Sequence, residues 1–311
     1  MTAVDQHLDG IPPLARRFLD QIDTVPGWLS PKGVALFLTL NATRLSNEPL
    51  GGVVEFGVYS GRTLVLLALL EPDSPAVGFD IGPPLAADTA ARAGAANVRV
   101  ITADSSTLTP GAILDYLGGE APRVVSVDGD HREDLARNDL LLAEAIVADH
   151  GIVVADDFSH PLFPGVAVAV RDSIRRGVLS PCAFGGGRIA LARPADAPAW
   201  RERITHYLSR DRAVPEGDLI EGQPVIRLFS HENLCAPSGP MEDRCLRIIE
   251  AACSNNEWSA AAIEDLLARL GDEHGMTRAQ IKAVLIDVFG EDQVRIFVAR
   301  ERAANNGEGM Y

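Results

Sequence analysis

Between residues 51 and 194 short β-rich runs alternate with helical segments, and this rhythm constrains the fold more than any other feature of the chain. Strands are expected at 53–56, 76–80, 98–102, 124–128 and 151–156, and helices at 61–70, 85–95, 111–117, 132–148 and 166–176. Strict alternation demands parallel strands joined by crossover helices, and the uninterrupted apolar strand cores fit burial on both faces. Pro181-Cys-Ala-Phe and Arg188-Ile-Ala-Leu-Ala, separated by a glycine turn, predict an antiparallel hairpin that closes the sheet. The expected fold is therefore α/β, a doubly wound Rossmann-like sheet of ordinary domain size.

The flanks read differently. Residues 1–50 carry apolar positions at helical spacing around Leu14–Ile22 and again over 34–45, with Ser30-Pro31 suited to cap the second helix. They are expected to form an N-terminal helical cover. Trp28 and Phe37 belong to that cover or, more simply, to the core. Residues 195–311 break the alternation. A helix at 200–208, a strand near 224–229, a linker at 233–240 and amphipathic helices at 242–253, 260–270 and 278–288 make this a mainly helical appendage, for covering substrate or for oligomerisation.

Composition removes several classes of function. The formal charge is −15 over 311 residues, so a basic face for nucleic acid or anionic lipid is not expected. No apolar run approaches the roughly 20 residues of a membrane span, and the N-terminus has no secretory signal, so a soluble cytoplasmic protein is expected. The four cysteines, Cys182, Cys235, Cys245 and Cys253, match neither a disulfide framework nor a zinc pattern.

In an open parallel sheet ligands bind beyond the carboxyl ends of the strands. Here those ends are acidic throughout: Glu55, Asp80, Asp104, Asp128, Asp156 and Asp157. One such residue is often only a turn former or helix cap. Five successive strands so closed would bring mutually repelling charges to one rim, so something cationic or rich in donors is expected there. The first turn, Glu55-Phe-Gly-Val-Tyr-Ser-Gly61, has glycines where a backbone must approach a ligand, but it is not the G-x-G-x-x-G of a nicotinamide site. Asp80 is placed to accept both hydroxyls of a ribose, and Asp104 with Ser105 an adenine amino group. A nucleoside without phosphate fits.

Glu55-Phe-Gly-Val-Tyr-Ser-Gly-Arg62, Asp80, Asp128-Gly-Asp-His131 and Val153-Val-Ala-Asp-Asp157 resemble class I S-adenosylmethionine-dependent methyltransferases, in the branch of macrolide-sugar O-methyltransferases and cephalosporin-hydroxylase-like proteins. The resemblance covers roughly residues 25–194. It implies S-adenosylmethionine held by Glu55, Gly57, Tyr59, Ser60, Gly61, Asp80, Asp104, Ser105 and Asp128. It also implies a divalent cation, Mg2+ or similar, on Asp128, Asp156 and Asp157, with Asp130 able to support or replace one ligand. Hard oxygen donors with no neighbouring thiol suit that ion. The plainer alternative is that Asp156-Asp157 caps the next turn.

His131 is the expected general base, with His160 its rival, and neither of the two lysines, Lys32 and Lys282, lies near the corresponding turn. The implied reaction is O-methylation of a hydroxyl on a small natural-product-like acceptor, of bacterial secondary metabolism. A hydroxylase-like enzyme on the same fold, or a non-catalytic cofactor-binding module that assembles into a homo-oligomer through its C-terminal region, are the alternatives.

Overall fold

The computed structural model describes residues 10–45, 52–82, 85–160, 163–209 and 216–229. The chain divides into two compact units, Met1–Ser159 with Gly165–Leu234, and His160–Pro164 with Cys235–Tyr311. The first unit carries the sheet and everything described below unless stated. The helices expected at 242–253, 260–270 and 278–288, and three of the four cysteines, lie outside the described residues.

The elements run α1 (Pro13–Leu19), α2 (Pro31–Ala42), β1 (Val53–Phe56), α3 (Arg62–Leu70), β2 (Ala76–Asp80), α4 (Ala86–Ala93), β3 (Val98–Thr102), α5 (Pro110–Tyr116), β4 (Val124–Val127), α6 (Glu133–Ile146), β5 (Ile152–Ala155), α7 (Pro164–Arg175), β6 (Ser180–Gly185), β7 (Arg188–Ala192), α8 (Ala197–Ser209), β8 (Glu216–Ile220) and β9 (Gln223–Arg227). They form one sheet in the order β3-β2-β1-β4-β5-β7-β6-β9-β8. The pairs among β3, β2, β1, β4 and β5 are parallel, and β7 runs antiparallel to both β5 and β6. The doubly wound sheet and its closing hairpin are as the alternation predicted.

Both faces are covered. Val53, Val124 and Ile152 join one apolar cluster with Phe18, Leu36, Leu64, Leu66 and Trp200 of the helices on that side. On the opposite face Phe56 stacks on Phe79 at 5.9 Å, and Phe79 meets the edge of Tyr116 of α5 at 5.6 Å. Ser30 caps α2, its Oγ accepting from the Gly33 amide at 3.1 Å. Phe37 is 1% exposed, a core residue.

One expected boundary moves. Residues 195–229 were read with the helical appendage, yet α8 belongs to the sheet unit and the β8–β9 hairpin extends the sheet through a parallel β6–β9 pair. Among the described residues no helix is long and apolar enough to cross a membrane.

Candidate active site

The strand order reverses between β1 and β4, so the crevice at their carboxyl ends is the place where this topology leaves room for a ligand. The loop after β1 is built for close approach. Gly57 has φ +81°, and a Cβ there would stand 1.9 Å from the Asp128 carbonyl oxygen. Tyr59 holds φ +48°, and Gly61, at φ +87°, opens α3.

Asp80 fixes this loop. One carboxylate oxygen accepts from the Val58 and Tyr59 amides at 2.9 and 2.7 Å, and the other from the Gly82 amide at 2.8 Å. The loop thus uses both lone pairs of Oδ2, whereas Oδ1, with one donor, keeps a second. Across β3, Asp104 accepts from the amide and hydroxyl of Ser106, which hold its carboxyl below the usual range. Ser105 instead donates toward Asp139, a residue of α6 only 1% exposed. A Cβ on Gly129 would lie 2.5 Å from Asp139 Oδ2. Asp139 therefore backs both the Asp104–Ser105 turn and the Asp128–Gly129 turn. Nothing at the strand ends pointed to it; the signal was an acid on the apolar face of α6 with Ala136, Leu140 and Ala143.

The remaining acids gather after β4 and β5. One oxygen or nitrogen each of Asp128, His131 and Asp157 lie within 4.8 Å of one another. His131 Nε2 is 2.9 Å from Asp157 Oδ2, and Asp157 holds a positive φ of 54°. Asp156 lies beside this group, but its carboxylate is paired with the buried guanidinium of Arg188 and caps the Asp157 amide at 2.7 Å. The set brought together thus contains His131 where the sequence reading put Asp156. Asp130 is engaged by Arg132, whose amide donates at 2.8 Å and whose guanidinium donates to both oxygens. His160 stacks on Phe163 at 4.4 Å within the second unit.

Electrostatics follow from crowding. Burial, then repulsion from Asp156 and Asp157, pushes the Asp128 carboxyl well above the usual range. Asp156 is pushed up to about 6 by burial and by Asp157, against the pull of Arg188. Glu55, 1% exposed in β1, is raised well above its ordinary value by burial, and its Oε2 has no hydrogen-bond partner. Burial lowers His131, but its bond to Asp157 and the charges of Asp157, Asp156 and Asp130 more than offset this, and its pKa is raised. Arg188 is the cationic group that the acidic rim required. Sequence reasoning missed it, although an arginine opening an otherwise apolar strand was a visible signal. One guanidinium cannot balance Glu55, Asp128, Asp156 and Asp157 when all four are ionised, and the crowded acids hold protons to higher pH instead. Two carboxylates and an imidazole nitrogen in that environment suit a divalent cation such as Mg2+ or Mn2+.

The N-terminal segment closes over the loop. Ser60 Oγ donates to the Pro26 carbonyl and Arg62 Nε to the Val25 carbonyl. Trp28, 79% exposed, stacks on Tyr59 with ring centroids 5.7 Å apart.

Residues 54–158 match a protein family described as a methyltransferase domain. No curated protein sequence matches the chain. Similar solved structures include CalS11, described as a TDP-rhamnose 3'-O-methyltransferase of calicheamicin biosynthesis, 18% identical over 59% of this chain and 93% of that one, with a TM-score of 0.43. Cofactor-bound Rv0187 from MTB is 20% identical over 61% of this chain and 93% of that one, TM-score 0.42. MycE from the mycinamycin pathway, in complex with Mg and SAH, is 16% identical over 59% and 55%, TM-score 0.43.

Proposed function

From the match of residues 54–158 to a methyltransferase domain, we propose that this chain is a class I, S-adenosylmethionine-dependent, metal-assisted O-methyltransferase acting on a hydroxyl of a small natural-product-like acceptor. The observation that carries the reading is the adjacency of the Gly57–Gly61 loop, fixed by Asp80 and packed on Asp128, to the Asp128–His131–Asp157 cluster.

In this reading the loop amides and Asp80 orient the nucleoside, and the Asp104–Ser105 turn, backed by Asp139, borders its base. Asp128 and Asp157 would hold the divalent cation, which when bound would acidify and orient an acceptor hydroxyl. Asp156 stands behind them on Arg188. Asp157 orients the His131 ring by accepting from Nε2–H, and His131 would take the hydroxyl proton at Nδ1. The acceptor oxygen would receive the methyl in line as the carbon–sulfur bond of the sulfonium breaks and S-adenosylhomocysteine leaves, with positioning and exclusion of water supplying most of the acceleration. Trp28 on Tyr59 provides part of that exclusion.

The test is direct. Calorimetry with S-adenosylhomocysteine should show binding with and without chelator, whereas transfer of labelled methyl to a hydroxyl acceptor should need the metal. Absence of S-adenosylhomocysteine binding would sink the proposal and favour a non-catalytic module.

Two substitutions probe the assignments. Asp80→Ala frees three backbone donors at the loop, and S-adenosylhomocysteine affinity should fall by about tenfold or more, the equivalent of one lost charged hydrogen bond. An unchanged Kd would remove Asp80 from the cofactor site. His131→Ala should lower kcat ~10²-fold or more. If metal affinity falls instead, His131 is a ligand and not the base. Because its pKa is raised, the neutral imidazole appears only above the ordinary value of 6.5, so kcat/KM should rise with pH with its acid limb centred above that point.

A further inference from the structure

Arg188 faces two separate parts of the site with one guanidinium. Nη2 donates to Asp156 Oδ2 and, at 3.3 Å, to the Trp28 carbonyl; Nη1 reaches the Gly186 carbonyl at 3.4 Å. The Phe37 ring centroid lies 6.0 Å from the guanidinium carbon. The fit is close on the N-terminal side: a Cβ on Gly33 would stand 2.5 Å from Nη1, and one on Gly186 2.3 Å from the Gly33 amide nitrogen.

The segment 25–29 is thus held twice. On one side Ser60 and Arg62 bind its carbonyls and Tyr59 stacks on Trp28; on the other Arg188 binds the Trp28 carbonyl. A buried arginine needs a full set of acceptors, and here those acceptors come from a carboxylate after β5 and from a strap more than 100 residues away in sequence.

We infer that Arg188 is a positioning residue that joins the 25–29 strap to Asp156, holding the strap on the Gly57–Gly61 loop while keeping Asp156 out of the metal's ligand set. What the loop and the carboxylates bind rests on the function proposed above; the tie itself does not. Both ends of the tie meet at Nη2, the far end of the side chain, while Nη1 is held by the Gly186 carbonyl. A lysine retains the charge beside Asp156, but its shorter side chain stops short of the position from which Nη2 serves the Trp28 carbonyl.

Wild type, Arg188→Lys and Arg188→Met are compared in three measurements. In ligand-free protein, chymotryptic cleavage after Trp28, normalised to cleavage at the buried Trp200, should rise by about tenfold in both variants as the strap opens locally. S-adenosylhomocysteine affinity should fall by about tenfold in both. Mn2+ affinity should move the other way: close to wild type in Arg188→Lys, and higher by about fivefold or more in Arg188→Met, where Asp156 is released to the cation. Parallel loss of both affinities, or cleavage at Trp28 that does not outpace Trp200, would overturn the inference. Should Arg188→Met fail to fold, Arg188→Lys decides, since unchanged cleavage and cofactor affinity in it refute the tie. Wild type that binds neither ligand refutes the proposed function, and the cleavage measurement still judges the strap.

Discussion

Gly57→Ala is expected to lower the unfolding free energy by more than about 3 kcal/mol and to abolish S-adenosylhomocysteine binding. Two costs add. The backbone at Gly57 has φ +81°, a region a residue with a Cβ enters only at a penalty. The added methyl would also stand 1.9 Å from the Asp128 carbonyl oxygen and 2.7 Å from the Gly129 Cα. Both obstacles are backbone, so relief requires β1 and β4 to separate at the switch point, where the loop amides must face the ligand. Gly111→Ala is the control. It sits in the first turn of α5, with ordinary φ and nothing within 4 Å of the new Cβ, and should leave stability unchanged or slightly raised. Urea melts of the two variants check the difference. A Gly57→Ala protein within about 0.5 kcal/mol of wild type would show that the loop is not bound to the β4 turn as described.

What the sequence disclosed follows a physical divide between local and distant causes. A parallel strand buried on both faces must be a short apolar run, so β1 and β2 occur where the pattern placed them, and the half-exposed edge strand β3 follows from the same β/α alternation. The acids closing those strands were legible because a strand end fixes its rim position. α2 begins at Pro31, as the Ser30-Pro31 pair predicts, whereas the starts of α5 and α7 shift to Pro110 and Pro164, where the missing amide hydrogen costs nothing. Apolar periodicity alone begins later, at the first residue that needs burial. Strand β8 was not legible, because Glu-Gly-Asp-Leu-Ile has no alternation and is held only by its pairing with β9.

The same divide explains the site. Which acid faces which partner depends on contacts between residues distant in sequence, 32 positions apart for Asp156 and Arg188. Asp156 and Asp157 look equivalent in sequence, yet the positive φ at Asp157 turns its carboxylate toward His131, while that of Asp156 meets Arg188. Asp139 backs the turns after β3 and β4 without belonging to either motif.

The acidic cluster should also give the ligand-free protein an unusual pH dependence, reversed by metal. Asp128, Asp156 and Glu55 have raised carboxyl pKa values, so the folded chain keeps protons that the unfolded chain has released. Stability from these groups is complete below about pH 4 and is lost as pH rises through the folded values, about 6 for Asp156. The raised His131 acts in the same sense at higher pH. Asp104 and Glu221, whose carboxyls are lowered, act oppositely but only in more acid solution, because they are ionised throughout the window above about pH 5. Without metal, Tm should therefore fall by several degrees between about pH 5 and 7.5. Millimolar Mg2+ or Mn2+ should restore it, and restore more at higher pH, since the cation binds the deprotonated carboxylates. Asp128→Asn separates repulsion from binding. Losing one half-buried negative charge beside Asp156, Asp157 and Glu55 should raise the metal-free Tm near pH 8, while the metal-dependent increment disappears and turnover drops ~10²-fold or more. A variant that keeps the wild-type metal increment would exclude Asp128 as a ligand. One whose metal-free Tm falls would show that Arg188 already balances the cluster, so that it has no need of a dication.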